Sequence, residues 1–299
     1  MPHDVLQTLD PRTLTRLANL ELRARLVVEG FIAGLHRSPY HGFSVEFAEH
    51  RQYAPGDELR HVDWKVYGRT DRYYVKRFEE ETNLKAYLLL DTSASMGYAS
   101  PGRMSKFDYA VSLAAALAYL MIRQRDAVGL ATFDEGIRDY YPPRSTRVYL
   151  RSLLSGLQAV HPSGLTGAGK ALHQLADRIK RRGLVIVLSD LFDDPDTVTT
   201  ALRHFRHQRN EVIVLQVLDP LERSFAYGEE ARFQDLETRE MLPASPHHVQ
   251  RAYRETLAAF LQRYQEVCRE HAIDHVLMDT SMPFDAALRE YLGKRARLH

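Results

Sequence analysis

The chain is 299 residues long, 44% hydrophobic and 26% charged, with a formal net charge of +1. These totals fit one large globular domain or two small ones, and they offer no bulk attraction to nucleic acid or an acidic membrane surface. Cys268 is the single cysteine, which excludes an intrachain disulfide and a thiolate metal cluster and points to a reducing compartment, the cytoplasm.

The opening residues, "MPHDVLQTLDPRTL", have no basic segment followed by an apolar one, so no secretory signal is expected. Residues 10–34 read as a helix. Asp10 caps it, Pro11 sits in its first turn, Gly34 ends it, and Leu14, Leu17, Leu20 and Leu22 form its apolar face. Residues 35–82 alternate Tyr, Phe, Val, His and Arg between turn signals and read as short strands and loops, ending in the strand "RYYVKRFEEE". Residues 1–82 therefore form an N-terminal helix and β-rich module, and 83–299 a separate α/β domain.

Within 83–299 the pattern changes. "LKAYLLLD" is an apolar strand, and "SKFDYAVSLAAALAYLMIRQR" (105–125) a helix with Ser105 and Asp108 as a capping pair. The apolar run inside that helix is shorter than the roughly 20 residues of a membrane span. Strands follow at 127–133 and 137–141, helices at 145–160 and 167–182, a buried strand at 183–190, a helix at 194–208 and a strand at 211–219. A hairpin insertion near 220–245 centres on "ARFQDLETREM". A long helix (247–271), a strand (274–280) and a last helix (283–295) complete the chain. Strands and helices that alternate in this way build an α/β fold, a doubly wound, mostly parallel sheet.

Chemistry concentrates at "YLLLDTSASMGY", where an apolar strand runs into Asp91 and then Thr92, Ser93 and Ser95. Three readings compete. "LLLDTS" and a second "VLMDTS" place Asp91 and Asp279 as an aspartic-peptidase pair, in which close carboxylates share one proton. Against this, helices alternate with strands between the two, and Asp279 also reads as a strand-end carboxylate capping a turn. "GLTGAGKA" (164–171) approaches a phosphate loop but ends in Ala171 and follows a helix-like segment.

The third reading is a divalent-cation site. Asp91 and Asp190 each end a buried strand, and open α/β sheets bind ligands beyond the carboxyl ends of their strands. With Ser93, Ser95 and Thr166 they make five hard oxygen donors, suited to Mg²⁺ or Mn²⁺. Two carboxylates at most neutralise such an ion, so an open position favours a carboxylate from a protein partner.

The Asp-x-Ser-x-Ser run, the later Thr in a glycine-rich loop and the Asp after the fourth strand resemble the metal-ion-dependent adhesion site of von Willebrand factor A domains. The stretch "EFAEHRQYAPGDELRHVDWKVYGRTDRYYVKRFEEETNLKAYLLLDTSASM" is similar to the signature of the bacterial domain-of-unknown-function family 58. That resemblance spans about Arg37 through Asp219. It implies a von Willebrand factor A-like fold and a non-enzymatic interaction domain, often paired with a MoxR-type AAA+ ATPase in assembly or maturation. It also implies that Ser93, Ser95 and Thr166 coordinate the ion, with Asp91 and Asp190 acting directly or through water. One departure stands out: Gly167 follows Thr166, where many relatives carry an acidic or amide residue. Elsewhere, Trp64 is expected as a packing anchor, Asp194 as a helix cap, and Cys268, with charged neighbours, as a half-buried thiol.

Overall fold

The computed structural model describes residues 19–35, 50–52, 67–69, 71, 73–76, 84–180, 182–227, 231–244 and 246–297. In chain order its elements are α1 (Leu20–Leu35), β1 (His50–Gln52), β2 (Tyr74–Lys76) and β3 (Lys85–Asp91). They continue with α2 (Lys106–Arg123), β4 (Ala127–Phe133), β5 (Ile137–Arg144), α3 (Arg147–Ala159) and α4 (Ala168–Arg178). Then come β6 (Leu184–Ser189), α5 (Pro195–His207), β7 (Glu211–Leu218), α6 (Pro220–Ser224), β8 (Ala231–Gln234) and β9 (Met241–Ala244). Last are α7 (Pro246–Glu270), β10 (Asp274–Asp279) and α8 (Asp285–Arg297). A 3-10 turn spans Ala94–Gly97.

The chain divides into two compact units, one of residues up to Phe31 with 84–299, the other of 32–83. In the smaller unit β1 and β2 pair antiparallel, with Arg51 opposite Val75. Trp64 and most of the expected β-rich stretch lie outside the described residues. The sequence division at 82 assigned the whole first helix to the β-rich module, whereas α1 up to Phe31 goes with the larger unit. Its buried face explains why: Leu20, Ala24, Val27, Val28 and Phe31 recur at helical spacing and are buried. Leu22, expected on that face, is 41% exposed. Leu14 and Leu17 lie outside the described residues.

The larger unit is built on six strands in the order β10-β7-β6-β3-β4-β5, parallel except for β5, which runs antiparallel to β4. β3, β6 and β7 are apolar and buried on both faces, as central parallel strands must be. Leu89 aligns with Ala131 on one side and Val187 on the other. On one face these residues pack with Leu172, Leu175, Leu202, Phe205, Tyr264 and Cys268 from α4, α5 and α7. Fully burying one such leucine or phenylalanine contributes about 1.5–3 kcal/mol. On the other face lies α2, whose Tyr109 ring stacks on Phe284, just ahead of α8, with centres 4.7 Å apart.

Two ends of the sheet differ. β5, "IRDYYPPR", is an edge strand that carries Pro142 and Pro143 in sequence and only partly covered side chains. β10, the opposite edge, contacts α7. The helix caps follow the sequence: Ser105 Oγ accepts from Asp108 N at 3.0 Å, and Asp194 Oδ2 accepts from Thr197 N at 3.0 Å. Cys268 is wholly buried rather than half-buried. It lies four residues beyond buried Tyr264 on α7, so helical spacing turns it toward the core despite its charged neighbours.

Candidate functional site

Going out from β3, the chain crosses to β4 on one side, and β6 pairs on the other. The strand order reverses there, and the crevice beyond these carboxyl ends is where such sheets receive ligands. Five strands run into a carboxylate at this rim: Asp91, Asp134, Asp190, Asp219 and Asp279. Three of them are consumed locally. Asp134 accepts from Arg138 Nε and from Gly136 N. Asp219 caps α6, accepting from Leu221 N at 2.8 Å, and also takes both Ser100 N (3.0 Å) and Ser100 Oγ (2.8 Å). Asp279 takes Ser281 N at 2.9 Å and Arg223 at 3.3 Å. It is the strand-end cap that its sequence context suggests.

Asp91 and Asp279 also stand three strand spacings apart in the sheet, roughly 14 Å at about 4.8 Å per step. Two aspartates at that distance share no proton, so the peptidase dyad has no geometry to support it. The "GLTGAGKA" loop follows α3 rather than a strand, and Lys170 is exposed, so a phosphate cradle is not formed either.

Asp91 and Asp190 are different. Asp91 is 1% exposed; its Oδ1 accepts from Ser93 N at 2.9 Å and its Oδ2 from Ser189 Oγ at 2.5 Å. Burial, reinforced by the nearby Asp190 charge, pushes the Asp91 carboxyl up to about 7, with the bonds from Ser189 and Ser93 opposing. From Asp91 a polar chain runs outward. Ser93 Oγ lies 3.1 Å from Ser95 Oγ, which donates to Asp190 Oδ2 at 2.9 Å. Asp91, Ser93 and Asp190 are buried while Ser95 and Thr166 are partly exposed, so the group opens to solvent on one side.

The Thr166 loop is stitched to this chain through the backbone. Ala94 N donates to Gly164 O at 3.1 Å, and Ser163 N donates to Thr92 O at 2.8 Å. Gly164 has φ +85°, a conformation open to glycine, and Arg138 braces the loop by donating to Ser163 Oγ and O, each at 3.0 Å. The departure at Gly167 has a steric cause: a Cβ there would stand 2.6 Å from Glu135 Cα. Thr166 itself donates through N, at 3.1 Å, and through Oγ1 to the carboxylate of Glu237. Hydrogen bonds thus join four of the expected donors, Asp91, Ser93, Ser95 and Asp190, whereas Thr166, on the adjoining loop, bonds instead to Glu237, an acidic side chain that sequence reasoning did not single out.

Sequence reasoning also missed Lys106. Its ammonium, with no exposed side-chain area, donates to Asp190 Oδ2 at 2.8 Å and to Glu222 Oε1 at 2.7 Å. It also lies 4.7 Å from the centre of the Phe192 ring. Burial pulls its pKa down, yet Asp190 and Glu222 outweigh this and hold it above the ordinary lysine value. Burial likewise raises Glu222, against the pull of Lys106.

The donor spacing fits a small hard cation. An octahedral ion with oxygens at about 2.1 Å puts adjacent ligands about 3.0 Å apart. The Ser93–Ser95 and Ser95–Asp190 oxygen separations, 3.1 and 2.9 Å, match two such edges. Among the described residues no cluster of three His, Cys, Asp or Glu side chains forms a metal site, so any ion here depends on hydroxyls.

A family model described as "Protein of unknown function DUF58" matches residues 49–266. The uncharacterized protein Rv1480 of Mycobacterium tuberculosis is 30% identical over 214 residues, 71% of this chain and 67% of that protein. The crystal structure of BatB from Bacteroides thetaiotaomicron superposes with a TM-score of 0.50 at 18% identity, covering 72% of this chain and 99% of that one. The structure of the SpRpn10 VWA domain gives a TM-score of 0.44 at 12% identity over 70% of this chain and 95% of that one. The fold is an α/β one with a doubly wound, mostly parallel sheet, as the sequence predicts, and BatB shares it.

Proposed function

The chain belongs to the DUF58 family, and on that footing we propose that it is a non-enzymatic protein-interaction domain whose sheet rim binds Mg²⁺ or Mn²⁺ to hold a partner's carboxylate. The observation that carries this reading is the run of oxygens from Ser93 through Ser95 to Asp190 at cation-ligand spacing, with the Asp91 carboxylate held beside it by the Ser93 backbone N–H. Ser93, Ser95 and Thr166 would hold the ion through their hydroxyls, and Asp91 and Asp190 directly or through water. The bound ion supplies a positive centre for an acidic side chain from outside. Lys106 bonds to both Asp190 and Glu222, so this ammonium with the carboxylates of Asp91, Asp190 and Glu222 would leave two negative charges for a divalent ion to balance.

The partner class proposed from family resemblance is a MoxR-type AAA+ ATPase, with the pair acting in assembly or maturation. The single cysteine supports a cytoplasmic setting. Among the described residues no helix is long and apolar enough to cross a membrane.

Calorimetry with Mg²⁺ on the wild-type protein and on Asp91→Ala tests the ion. Heat of binding in the wild type and none in the variant is expected, and equal heats from both would end the metal reading. A pull-down with the candidate ATPase, with and without chelator, tests the partner, and capture that survives chelator would separate partner binding from the ion.

A further inference from the structure

We propose that Glu237, at the tip of the β8–β9 hairpin, is an in-chain carboxylate that occupies the Thr166 side of the rim and must withdraw before a partner's carboxylate can enter. This inference rests on the reading of the rim as an acidic-ligand site and names what regulates access to it.

The hairpin is built to present this one side chain. β8 and β9 pair antiparallel, with Gln234 opposite Met241. In the turn between them Asp235 Oδ1 accepts from Glu237 N at 2.7 Å and from Thr238 N at 3.0 Å. Asp235 N donates to Glu240 O at 2.9 Å, closing the turn. Residues 234–240 are exposed except Glu237, which is half-buried because its carboxylate takes both the N–H and the hydroxyl of Thr166. A carboxylate that receives two donors from one residue is held in a fixed position.

The base of the hairpin is fastened separately. Phe233 stacks on Phe225 at 5.3 Å and meets Tyr227 edge-on at 5.1 Å. Tyr227 in turn shares a hydroxyl hydrogen bond with Tyr98 at 2.7 Å. The tip therefore leaves Thr166 without dismantling the base, and the two contacts are independent.

Charge gives the contact its consequence. Asp91 and Asp190 lie at the same rim as Glu237, and an incoming carboxylate would meet a third negative group where Thr166 should be open. With Glu237 held on Thr166, an acidic side chain already stands beside the proposed ion, so closure by Glu237 competes directly with a partner's carboxylate for that positive centre. The exposed Leu236 at the tip, 44% accessible, is the handle by which a partner that displaces the hairpin gains a contact in exchange.

The test compares wild type with Glu237→Ala in saturating Mg²⁺, using the peptide acetyl-Gly-Glu-Gly-amide as the carboxylate probe and calorimetry as the readout. One charge-assisted hydrogen bond removed from the competitor corresponds to a gain in probe affinity of about tenfold or more. Equal probe affinity, with Mg²⁺ bound by both proteins, overturns the inference and leaves the cation site standing. If neither protein binds Mg²⁺, the cation reading fails instead, and amide hydrogen exchange without metal decides the hairpin. Exchange at Thr166 at least about tenfold faster in Glu237→Ala supports the contact, and unchanged exchange overturns it.

Discussion

Replacing Lys106 with methionine removes a buried ammonium while keeping the length and most of the apolar volume of the side chain. Two carboxylates then lose their cation: Asp190, with no exposed side-chain area, and Glu222, with 13%. Breaking a buried ion pair by removing one partner costs about 3–5 kcal/mol, because the remaining charge stays desolvated. Asp190 retains bonds from Ser95 Oγ at 2.9 Å and Phe192 N at 3.1 Å, and Glu222 retains Asp219 N at 2.9 Å. The loss therefore belongs at the lower end, about 3–4 kcal/mol. For a unit of this size each kcal/mol moves the midpoint by about 2–4 °C, so Lys106→Met melts roughly 6–16 °C below wild type. The assay is thermal unfolding in chelator, followed by circular dichroism. The double variant Lys106→Met/Glu222→Gln, which leaves only one stranded carboxylate, recovers about half of the loss. A midpoint for Lys106→Met within about 2 °C of wild type would refute the reasoning, since a solvated lysine is the only kind whose loss is that mild.

Two further outcomes follow from groups far from the rim. Glu211 bonds to Lys294 at 2.8 Å and Arg206 at 2.7 Å, and although burial pushes its carboxyl up, these two cations outweigh it and hold the pKa below the ordinary 4.5. A depressed carboxyl stabilises the fold above the unfolded pKa and loses that contribution as pH falls through the folded one. Urea midpoints of Glu211→Gln should therefore lie below wild type at neutral pH and converge with it below about pH 4.5; parallel curves across that range would contradict the pairing. Cys268 is fully buried and its thiol is pushed up to about 12 by burial. At pH 8 it should react with a thiol reagent only on unfolding, and rapid native labelling would show that α7 does not seat it in the core.

Much of the fold was legible because central parallel strands betray themselves. "YLLL", "LVIVL" and "VIVLQVL" are apolar on both faces, and each ends in a polar residue where the sheet stops. Asp91 and Asp190 were visible for the same reason. Lys106 was not, because a lysine in the first turn of a helix reads as solvated. Its burial comes from Asp190 and Glu222, 84 and 116 residues further along the chain. Glu237 was hidden likewise: an acid in a hairpin turn carries no local sign of a threonine 71 residues earlier. Two misses had local signals that went unused. Asp219, Pro220 and Glu222 spell a capping box that starts α6, and the Tyr264–Cys268 spacing marks the buried stripe of α7.

The antiparallel strand β5 has a further consequence. Its consecutive imino acids, Pro142 and Pro143, offer no amide hydrogens to a newcomer, and Arg138, Asp139 and Arg144 punctuate the rest of the ribbon. Growth of the sheet by an added chain is discouraged along that flank. Recruitment by backbone zippering is thus closed off there.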